Sequence, residues 1–300
     1  MTQGVLIFAQ NNSTDNYVKQ AFLCALSGIN SGNNNFTLVT DSPVDAKVEM
    51  AFNKVIILKR DDAKESEWKV ENRWKAMSLS PYNETIVVDS DVLFLNKIDW
   101  SVFNGQDLYF TQNPTTYRHE PIIDSYYRKT FYKNDLFDIY TGLYYFKKTK
   151  RASLFFELLQ TVIENWEEFY EVFCAEHKPS HVSIDVCASI VLELMRYQEF
   201  RETDLINFVH MKMHAQGWIS SNEKWQEKVD WYFNDELKSE LKSETCSNFI
   251  EKQIKVLKSS NHQSSLDIEN KAYDILLSTR KYFKKDQKRV NFLQFWQQDK

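Results

Sequence analysis

The sequence predicts an α/β fold with a mixed, mostly parallel central sheet, flanked by helices and followed by a helical C-terminal extension. Short β-branched and apolar runs alternate with helical patterns through the first half, which is typical of βαβ layers. The chain has 300 residues, of which 43% are hydrophobic, enough for one large domain or two small ones. We therefore predict an α/β domain over 1–221 and a helical extension over 222–300 that packs on it.

The predicted strands and helices alternate up to about residue 90. The apolar run 5–10 predicts a buried strand, and Ser13 is the expected N-cap of a helix that ends near residue 27. Pro81 closes a second predicted helix, because proline cannot continue one. The elements expected in this part are further strands at 36–40, 55–58 and 85–88 and the second helix at 71–79.

After residue 91 the alternation is less regular. An aromatic and basic stretch over 113–138 separates two β-type runs, and a structureless loop of that length in a compact domain is usually functional or disordered. The elements expected here are strands at 107–111, 140–147 and 205–210 and helices at 151–174 and 183–197, with polar helical sequence beyond 222.

Composition excludes several classes of protein. The six glycines never have the spacing of the dinucleotide-binding fingerprint or of the P-loop. The four cysteines contain no C-x-x-C pair, which favours buried reduced thiols over a zinc ribbon or a disulfide framework. The apolar N-terminal run lacks the flanks of a signal peptide and the length of a membrane helix. We therefore expect a cytoplasmic protein, in the host cytoplasm if it is viral.

The most informative motif is Asp89-Ser90-Asp91, which directly follows an apolar, β-branched strand. Two carboxylates at that position are expected at the carboxyl edge of a central strand, where open α/β sheets bind ligands. Burying both without a counter-charge costs several kcal/mol per ion. A shared Mg²⁺ or Mn²⁺ on a diphosphate removes that cost. The alternative is a pair of exposed aspartates in a turn.

A second motif lies near residue 210. The spacing of His210 and His214 resembles the zincin helix, but Met211 stands where the catalytic glutamate belongs and Gly217 argues against a helix. A zinc protease is therefore excluded. His210, at the end of a predicted strand, could supply a third metal ligand, and the nearby Lys212 a cation for phosphate oxygens. The alternative for His210, taken alone, is an ordinary histidine of the core.

These motifs, taken in order, resemble the metal-dependent nucleotide-sugar glycosyltransferases of the GT-A fold, especially the glycogenin-like group. The first strand ends in Ala-Gln-Asn, and an arginine stands sixteen residues before Asp89. A later strand opens with Tyr-Thr-Gly, and a His-x-Lys precedes a Gly-Trp pair. The resemblance covers roughly residues 4 to 218. It departs at Thr141, where the family usually has asparagine, which puts the acceptor geometry in question.

The resemblance implies a retaining transfer of a hexosyl or pentosyl group. The donor that it implies is a nucleotide-diphosphate sugar, and we expect the nucleotide to be UDP. Such a transfer needs no strong base from the protein. The site residues that it implies are Asp89, Asp91 and His210 for Mn²⁺ or Mg²⁺; Arg73 and Lys212 for phosphate charge; Ala9, Gln10, Asn11 and Tyr17 for the nucleobase and ribose; Ser90 near the ribose; and Asp185 beside the transferred sugar.

The acceptor is predicted from charge. Residues 117–151 hold eight Lys or Arg against four acidic residues, whereas 152–209 hold three against eleven. A basic surface with interleaved aromatic residues suits phosphate backbones and unstacked bases. The expected acceptor contacts are Tyr126, Tyr127, Arg128, Lys129 and Lys133.

Short polar and aromatic segments before the acidic motif also resemble glycosyltransferases of T-even-like tailed phages. They include Asn72-Arg73-Trp74-Lys75 and Ser80-Pro81-Tyr82. That resemblance implies double-stranded DNA containing 5-hydroxymethylcytosine as the leading acceptor, with a glycan or protein hydroxyl as the alternative. A metal-dependent phosphoryl transferase or nuclease, and a non-catalytic nucleic-acid-binding protein, are the hypotheses from other classes.

Overall fold

The structure, a computed structural model, describes residues 2–13, 16–30, 32–64, 66, 69–90, 92–94, 97–112 and 126–197, together with the backbone of 207–210 and 255–258. Its strands are β1 (Gln3–Phe8), β2 (Phe36–Thr40), β3 (Lys54–Ile57), β4 (Glu84–Asp89), β5 (Val92–Phe94), β6 (Leu108–Gln112), β7 (Ile139–Lys147), β8 (Asn207–His210) and β9 (Lys255–Lys258). The central sheet has the order β3-β2-β1-β4-β7-β6, and a second sheet has the order β5-β9-β8.

The central sheet is mixed and mostly parallel, as predicted. Strands β1 to β4 run parallel, and β7 runs antiparallel to both β4 and β6. The helices are α1 (Tyr17–Asn30), α2 (Ala46–Glu49), α3 (Ala76–Leu79), α4 (Tyr126–Lys133), α5 (Lys150–Glu164), α6 (Trp166–Phe173) and α7 (Ile184–Leu194), with 3-10 helices at Glu71–Lys75 and Trp100–Phe103.

Helices cover both faces of the central sheet. Leu6 and Val87 pack on one face in a cluster that also contains the buried residues of α5 and α7. Ile7 and Val88 pack on the opposite face with the buried residues of α1. Because β1 and β4 bury both faces, they are continuous apolar runs, the pattern of buried parallel strands. The predicted core strands are thus confirmed within one or two residues at their ends.

Two of the predicted helices differ from the structure in ways that single asparagines explain. The cap of α1 is Asn16, whose Oδ1 accepts from the backbone N of Lys19 at 3.0 Å, so Ser13 is not the N-cap. The single helix predicted over 151–174 is two helices, because Asn165 leaves helical backbone geometry at φ −128° and ψ 37°. Asparagine favours such a break because its side chain competes for local backbone groups; here Nδ2 donates to the carbonyl of Thr161 at 2.8 Å.

Two further segments depart from expectation. The stretch 113–138, predicted to be irregular, contains α4. Within the segment predicted to be helical, 255–258 is the strand β9, which lies between β5 and β8. Four residues are too few for hydrophobic periodicity to distinguish a strand from a helix. The segment is a strand because it pairs with β5 and β8. Among the described residues, no helix has both the length and the apolar character to cross a bilayer.

Candidate active site

The carboxyl ends of β1 and β4 meet at one edge of the central sheet. The two strands are parallel neighbours in which Phe8 pairs with Asp89, the last residue of each strand. The chain passes from β1 outward to β2 and β3 on one side, whereas β4 lies on the other side of β1. Such a reversal of strand order leaves a crevice at the carboxyl edge, the usual ligand position in open α/β sheets.

Arg73 is bound to Asp89 at this edge. Its Nη2 donates to Asp89 Oδ1 at 3.1 Å, and its guanidinium carbon lies 5.0 Å from the centre of the Phe8 ring. The Asp89 side chain is 26% exposed and the Arg73 side chain 13%. The carboxylate therefore still faces solvent at the crevice. Two residues that were predicted separately, Arg73 for phosphate charge and Asp89 for the metal, thus lie together at this edge.

The residues predicted for the nucleobase and ribose gather at the end of β1. The backbone N of Ala9 donates to the carbonyl of Val39 at 2.8 Å, which extends the pairing of β1 with β2. Asn11 Oδ1 accepts from the backbone N of Val18 at 3.1 Å, so this side chain ties the end of β1 to the helix that begins at Tyr17. These contacts tie the end of β1 to β2 and to the first turn of α1.

Gln10 is buried in a polar cluster that sequence reasoning missed. Its Nε2 donates to Asp61 Oδ1 at 3.0 Å, and its Oε1 accepts from Asn72 Nδ2 at 2.9 Å. Asn72 also donates to Asp61, at 2.7 Å, and accepts from Lys75 Nζ at 2.6 Å. Both ends of the Gln10 amide are thus engaged inside the protein. A contact between Gln10 and a nucleobase, as predicted, would have to use the hydrogen-bonding capacity of the amide that these two bonds do not occupy.

The cluster holds Asp61 ionised. Burial raises the pKa of this carboxyl, but hydrogen bonds from Asn72, Gln10 and the backbone of Ala63, with the nearby Lys69, outweigh burial and lower the pKa below its ordinary value. The signal in the sequence was the acidic pair 61–62 after β3, whose partners come from just beyond the end of β1 and from the 3-10 helix at Glu71–Lys75. Sequence spacing alone could not bring them together.

Ser90 points into the fold. Its Oγ donates to Gln20 Oε1 in α1 at 3.1 Å, and the residue is buried. The hydroxyl therefore anchors the turn after β4 to α1. Its predicted place near a ribose stays a prediction.

Asp185 is enclosed rather than open to a substrate. Its Oδ1 accepts hydrogen bonds from both the backbone N of Thr141, at 2.8 Å, and the Thr141 hydroxyl. Its Oδ2 accepts from Arg128 Nη2 at 3.2 Å, and the residue is 4% exposed. Asp185 is the second residue of α7. The helix is capped by Ser183, whose side chain accepts a hydrogen bond from the backbone N of Val186. Asp185 thus fixes the first part of β7 to the start of α7.

Arg128 is the cation of this cluster and lies inside the protein. Its Nη1 donates to Asp138 Oδ1 at 2.5 Å and to the carbonyl of Ile139 at 2.8 Å. The residue is 6% exposed, with its guanidinium 5.0 Å from the Phe131 ring and 5.5 Å from the Tyr140 ring. Its predicted place on a basic surface is corrected, because two carboxylates and two rings hold it in the interior.

Asp138 adds a second acid to the same cation. Burial raises its pKa, Arg128 lowers it and Asp185 raises it, so the pKa ends above its ordinary value. One arginine shared by two carboxylates cannot neutralise both fully.

The strand β7 bulges where Asp185 holds it. Tyr144 pairs with Phe110 and Tyr140 pairs with Thr111, so three residues of β7 stand between pairs that are consecutive on β6. A Cβ on Gly142 would lie 2.1 Å from Cε1 of Tyr140, which only a glycine avoids. Bulges often re-aim side chains beside active sites. The Tyr-Thr-Gly motif therefore shapes this bulge.

The predicted metal ligands, and the predicted phosphate cation Lys212, are described only in part. Asp91 and Lys212 lie outside the described residues, and for His210 the structure gives the backbone. Val92 pairs with Lys255, which pairs on its other side with His210. Because neighbouring strands lie about 4.8 Å apart, His210 lies roughly 10 Å from the residue that follows Asp91. Among the described side chains, no three His, Cys, Asp or Glu residues group as metal ligands.

The remaining acceptor residues lie on α4. Lys133 has a 44% exposed side chain, with Nζ 3.8 Å from Glu176 Oε2. Lys129 is half-buried, and the backbones of Tyr126 and Tyr127 form the first turn of α4. The rest of the aromatic and basic stretch, 113–125, lies outside the described residues.

No family model and no curated protein matches this chain. Solved structures overlap with it at low identity. The galactosyltransferase LgtC in complex with donor and acceptor sugar analogs gives a TM-score of 0.43 and 13% identity, over 64% of this chain and 70% of that one. The apo form of the glycosyltransferase GlyE of Streptococcus pneumoniae TIGR4 gives 0.36 and 12%, over 66% and 44%. At these TM-scores the structural overlaps do not indicate an activity. The function proposed below therefore rests on the residues of the site.

Proposed function

We propose that this chain is a glycosyltransferase that moves a sugar from a nucleotide-diphosphate sugar, UDP-linked by preference, to a hydroxyl acceptor. The observation that carries the proposal is the Arg73–Asp89 pair at the crevice where β1 and β4 end. A carboxylate that faces solvent beside a half-buried guanidinium is suited to a ligand that brings both a cation and an anion. A metal-bound diphosphate is such a ligand.

The residues of the site fit a divalent cation. Asp89, with Asp91 and His210, offers the oxygen and imidazole donors that Mg²⁺ or Mn²⁺ accepts. The register of β5, β9 and β8 supports this choice, since it keeps the backbone of His210 close to the acidic turn. When bound, the cation would supply Lewis-acid stabilisation to the departing diphosphate.

Arg73 is the second source of positive charge. As the bond between sugar and phosphate breaks, negative charge develops on the nucleoside diphosphate, and a guanidinium already held in place stabilises it without reorganisation. The ring of Phe8 and the carboxylate of Asp89 hold Arg73 at the crevice. Lys212 is proposed as a further cation for the same oxygens.

Asp185 is proposed to shape the site and not to take part in the chemistry. Because Thr141 and Arg128 occupy both of its oxygens, it is poorly placed to attack a sugar or to accept a proton. A retaining transfer in which the acceptor attacks on the side of the departing phosphate needs no such base. We therefore propose retaining stereochemistry, for a hexosyl or a pentosyl group, with Asp185 holding the bulge of β7 beside the sugar.

We keep 5-hydroxymethylcytosine in double-stranded DNA as the proposed acceptor. The support is the segregation of basic residues around 117–151 in the sequence, of which Lys129 and Lys133 lie at least partly at the surface. Phosphate contacts by such lysines would position the duplex without reading its sequence. A hydroxyl of a glycan or a protein is the alternative.

The experiment combines donors and acceptors. Purified protein is incubated with several nucleotide sugars, with Mn²⁺, and with hydroxymethylated or unmodified duplexes; mass spectrometry of the nucleosides then detects a sugar adduct. We expect an adduct on the hydroxymethylated duplex alone. Transfer to a glycan or protein with neither duplex modified would refute the DNA acceptor and keep the glycosyltransferase. The absence of any donor consumption would refute the enzyme assignment.

A further inference from the structure

The turn that follows β4 is fastened to helix α1 by a buried hydrogen bond. The hydroxyl of Ser90, the middle residue of Asp89-Ser90-Asp91, donates to Gln20 Oε1 at 3.1 Å. Ser90 is 5% exposed and Gln20 is 2% exposed, so water does not compete for this bond. Losing one partner of a buried hydrogen bond is costly, because the other polar group then lacks it. The bond therefore restrains the backbone of the acidic motif.

A second contact comes from the same face of α1. Cys24 follows Gln20 by four residues, which places both side chains on one side of the helix. The Cys24 thiol donates to the carbonyl oxygen of Asp89 with a sulfur-to-oxygen distance of 4.0 Å. A thiol is a weak donor, so the Gln20 bond is the stronger restraint. One side of α1 thus contacts two consecutive residues, Asp89 and Ser90.

Helix α1 is a firm support for this bond. Its Ala21 and Ala25 are fully buried, in one apolar cluster with Val88 of β4 and Val92 of β5. The helix therefore packs with the strands on both sides of the turn. Because packed interiors yield little, the hydrogen bond from Ser90 to this helix fixes the turn relative to the sheet.

We propose that Gln20 is a positioning residue for the divalent cation: by accepting the Ser90 hydroxyl, it holds the turn so that Asp89 and Asp91 can share one ion. This inference rests on the proposed function, whose cation it concerns. Ligands carried by a turn converge on one ion only when the backbone of the turn is held. Residues that orient metal ligands without touching the metal typically contribute about 10–100-fold to its affinity.

The test measures the affinity for Mn²⁺ alone, without a nucleotide, from the electron paramagnetic resonance signal of free Mn²⁺. Gln20→Met keeps most of the volume of the side chain but removes its oxygen, and Ser90→Ala removes the hydroxyl. Asp89→Asn identifies the site, because Mn²⁺ that this variant still binds is bound elsewhere. The matched control is Asn16→Ala, which removes the cap of the same helix and leaves the bond between Gln20 and Ser90 in place.

We expect Gln20→Met and Ser90→Ala each to weaken Mn²⁺ binding about tenfold. The double variant should also lose about tenfold and no more, because both changes remove the same bond. Asn16→Ala should keep the Mn²⁺ affinity of the wild type although it unfolds at a lower temperature. The affinities are compared at a temperature at which circular dichroism shows every variant to be folded.

Three results would overturn the inference and leave the proposed function standing. A wild-type affinity for Mn²⁺ in Gln20→Met or in Ser90→Ala leaves the bond without a role at the cation. Losses that multiply in the double variant mean that the two side chains act independently. A loss in Asn16→Ala as large as that in Gln20→Met makes the effect one of helix stability. If the wild type binds Mn²⁺ no better than Asp89→Asn, the proposed cation site fails first, and the inference with it.

Discussion

Replacing Arg128 by methionine distinguishes an interior cation from a DNA-binding one. Methionine keeps most of the aliphatic volume of the side chain but removes its charge. Asp185, whose side chain is 6% exposed, then loses the 3.2 Å ion pair with Nη2. Breaking one partner of a buried pair costs about 3–5 kcal/mol. That is a large part of the 5–15 kcal/mol by which a typical domain is stable.

Urea unfolding followed by circular dichroism measures this cost. With a slope of about 2 kcal/mol per molar, the midpoint should fall by roughly 2 M. The matched control is Lys129→Met, on the next position of α4 and half-buried, for which a change within about 0.5 kcal/mol is expected. The loss of stability in Arg128→Met should also depend on pH, because Arg128 affects the pKa of Asp138.

The sign of that dependence follows from the raised pKa of Asp138. A carboxyl that titrates at higher pH in the folded protein than in the unfolded chain is penalised when it is ionised. Arg128 is the group that lowers this pKa, so its removal raises the pKa further. The stability deficit should therefore be largest above the folded pKa and shrink as the pH falls through it. A midpoint unchanged by Arg128→Met, with a weaker and less salt-dependent affinity for DNA, would refute the interior role.

Further predictions concern the helix cap, the histidines and the metal. Asn16→Ala should lower the free energy of unfolding by about 1 kcal/mol, because α1 loses its cap, and Ser13→Ala should leave it unchanged; urea midpoints that fall equally would contradict this assignment. His210→Ala should weaken metal-dependent binding of a nucleoside diphosphate by calorimetry, and His214→Ala should weaken it less; the reverse order would mean that His214 is the ligand. Excess EDTA should stop donor consumption, and activity that persists in EDTA would remove the cation from the mechanism.

The sequence was sufficient for the central sheet and for the position of Asp89 at its edge. An apolar strand followed by two aspartates predicts the position of Asp89, because the carboxyl ends of parallel strands are where such groups are tolerated. The arginine sixteen residues earlier could be matched to it only through the family resemblance. Its ion pair with Asp89 depends on where the fold places the 3-10 helix at Glu71–Lys75, whose Arg73 lies over the ring of Phe8 in β1.

The interior of the site was beyond sequence reasoning. Arg128 and Asp185 are 57 positions apart in the chain, and counting charges over 117–151 treats an arginine as a surface residue whatever its partner. Asp61 and Gln10 meet across 51 positions for the same reason. Local patterns encode which face of a strand is apolar, whereas the pairing of buried polar groups is decided by the tertiary fold.

The most direct test of the account is the release of nucleoside diphosphate from nucleotide sugars by the wild type and by Asp89→Asn, in Mn²⁺. Asparagine keeps the shape of the side chain but removes the charge that pairs with Arg73. We predict release by the wild type with at least one donor and none above background by Asp89→Asn, with both proteins unfolding at similar temperatures. Equal release by the two proteins, or no release by a folded wild type from any nucleotide sugar, would contradict the central claim.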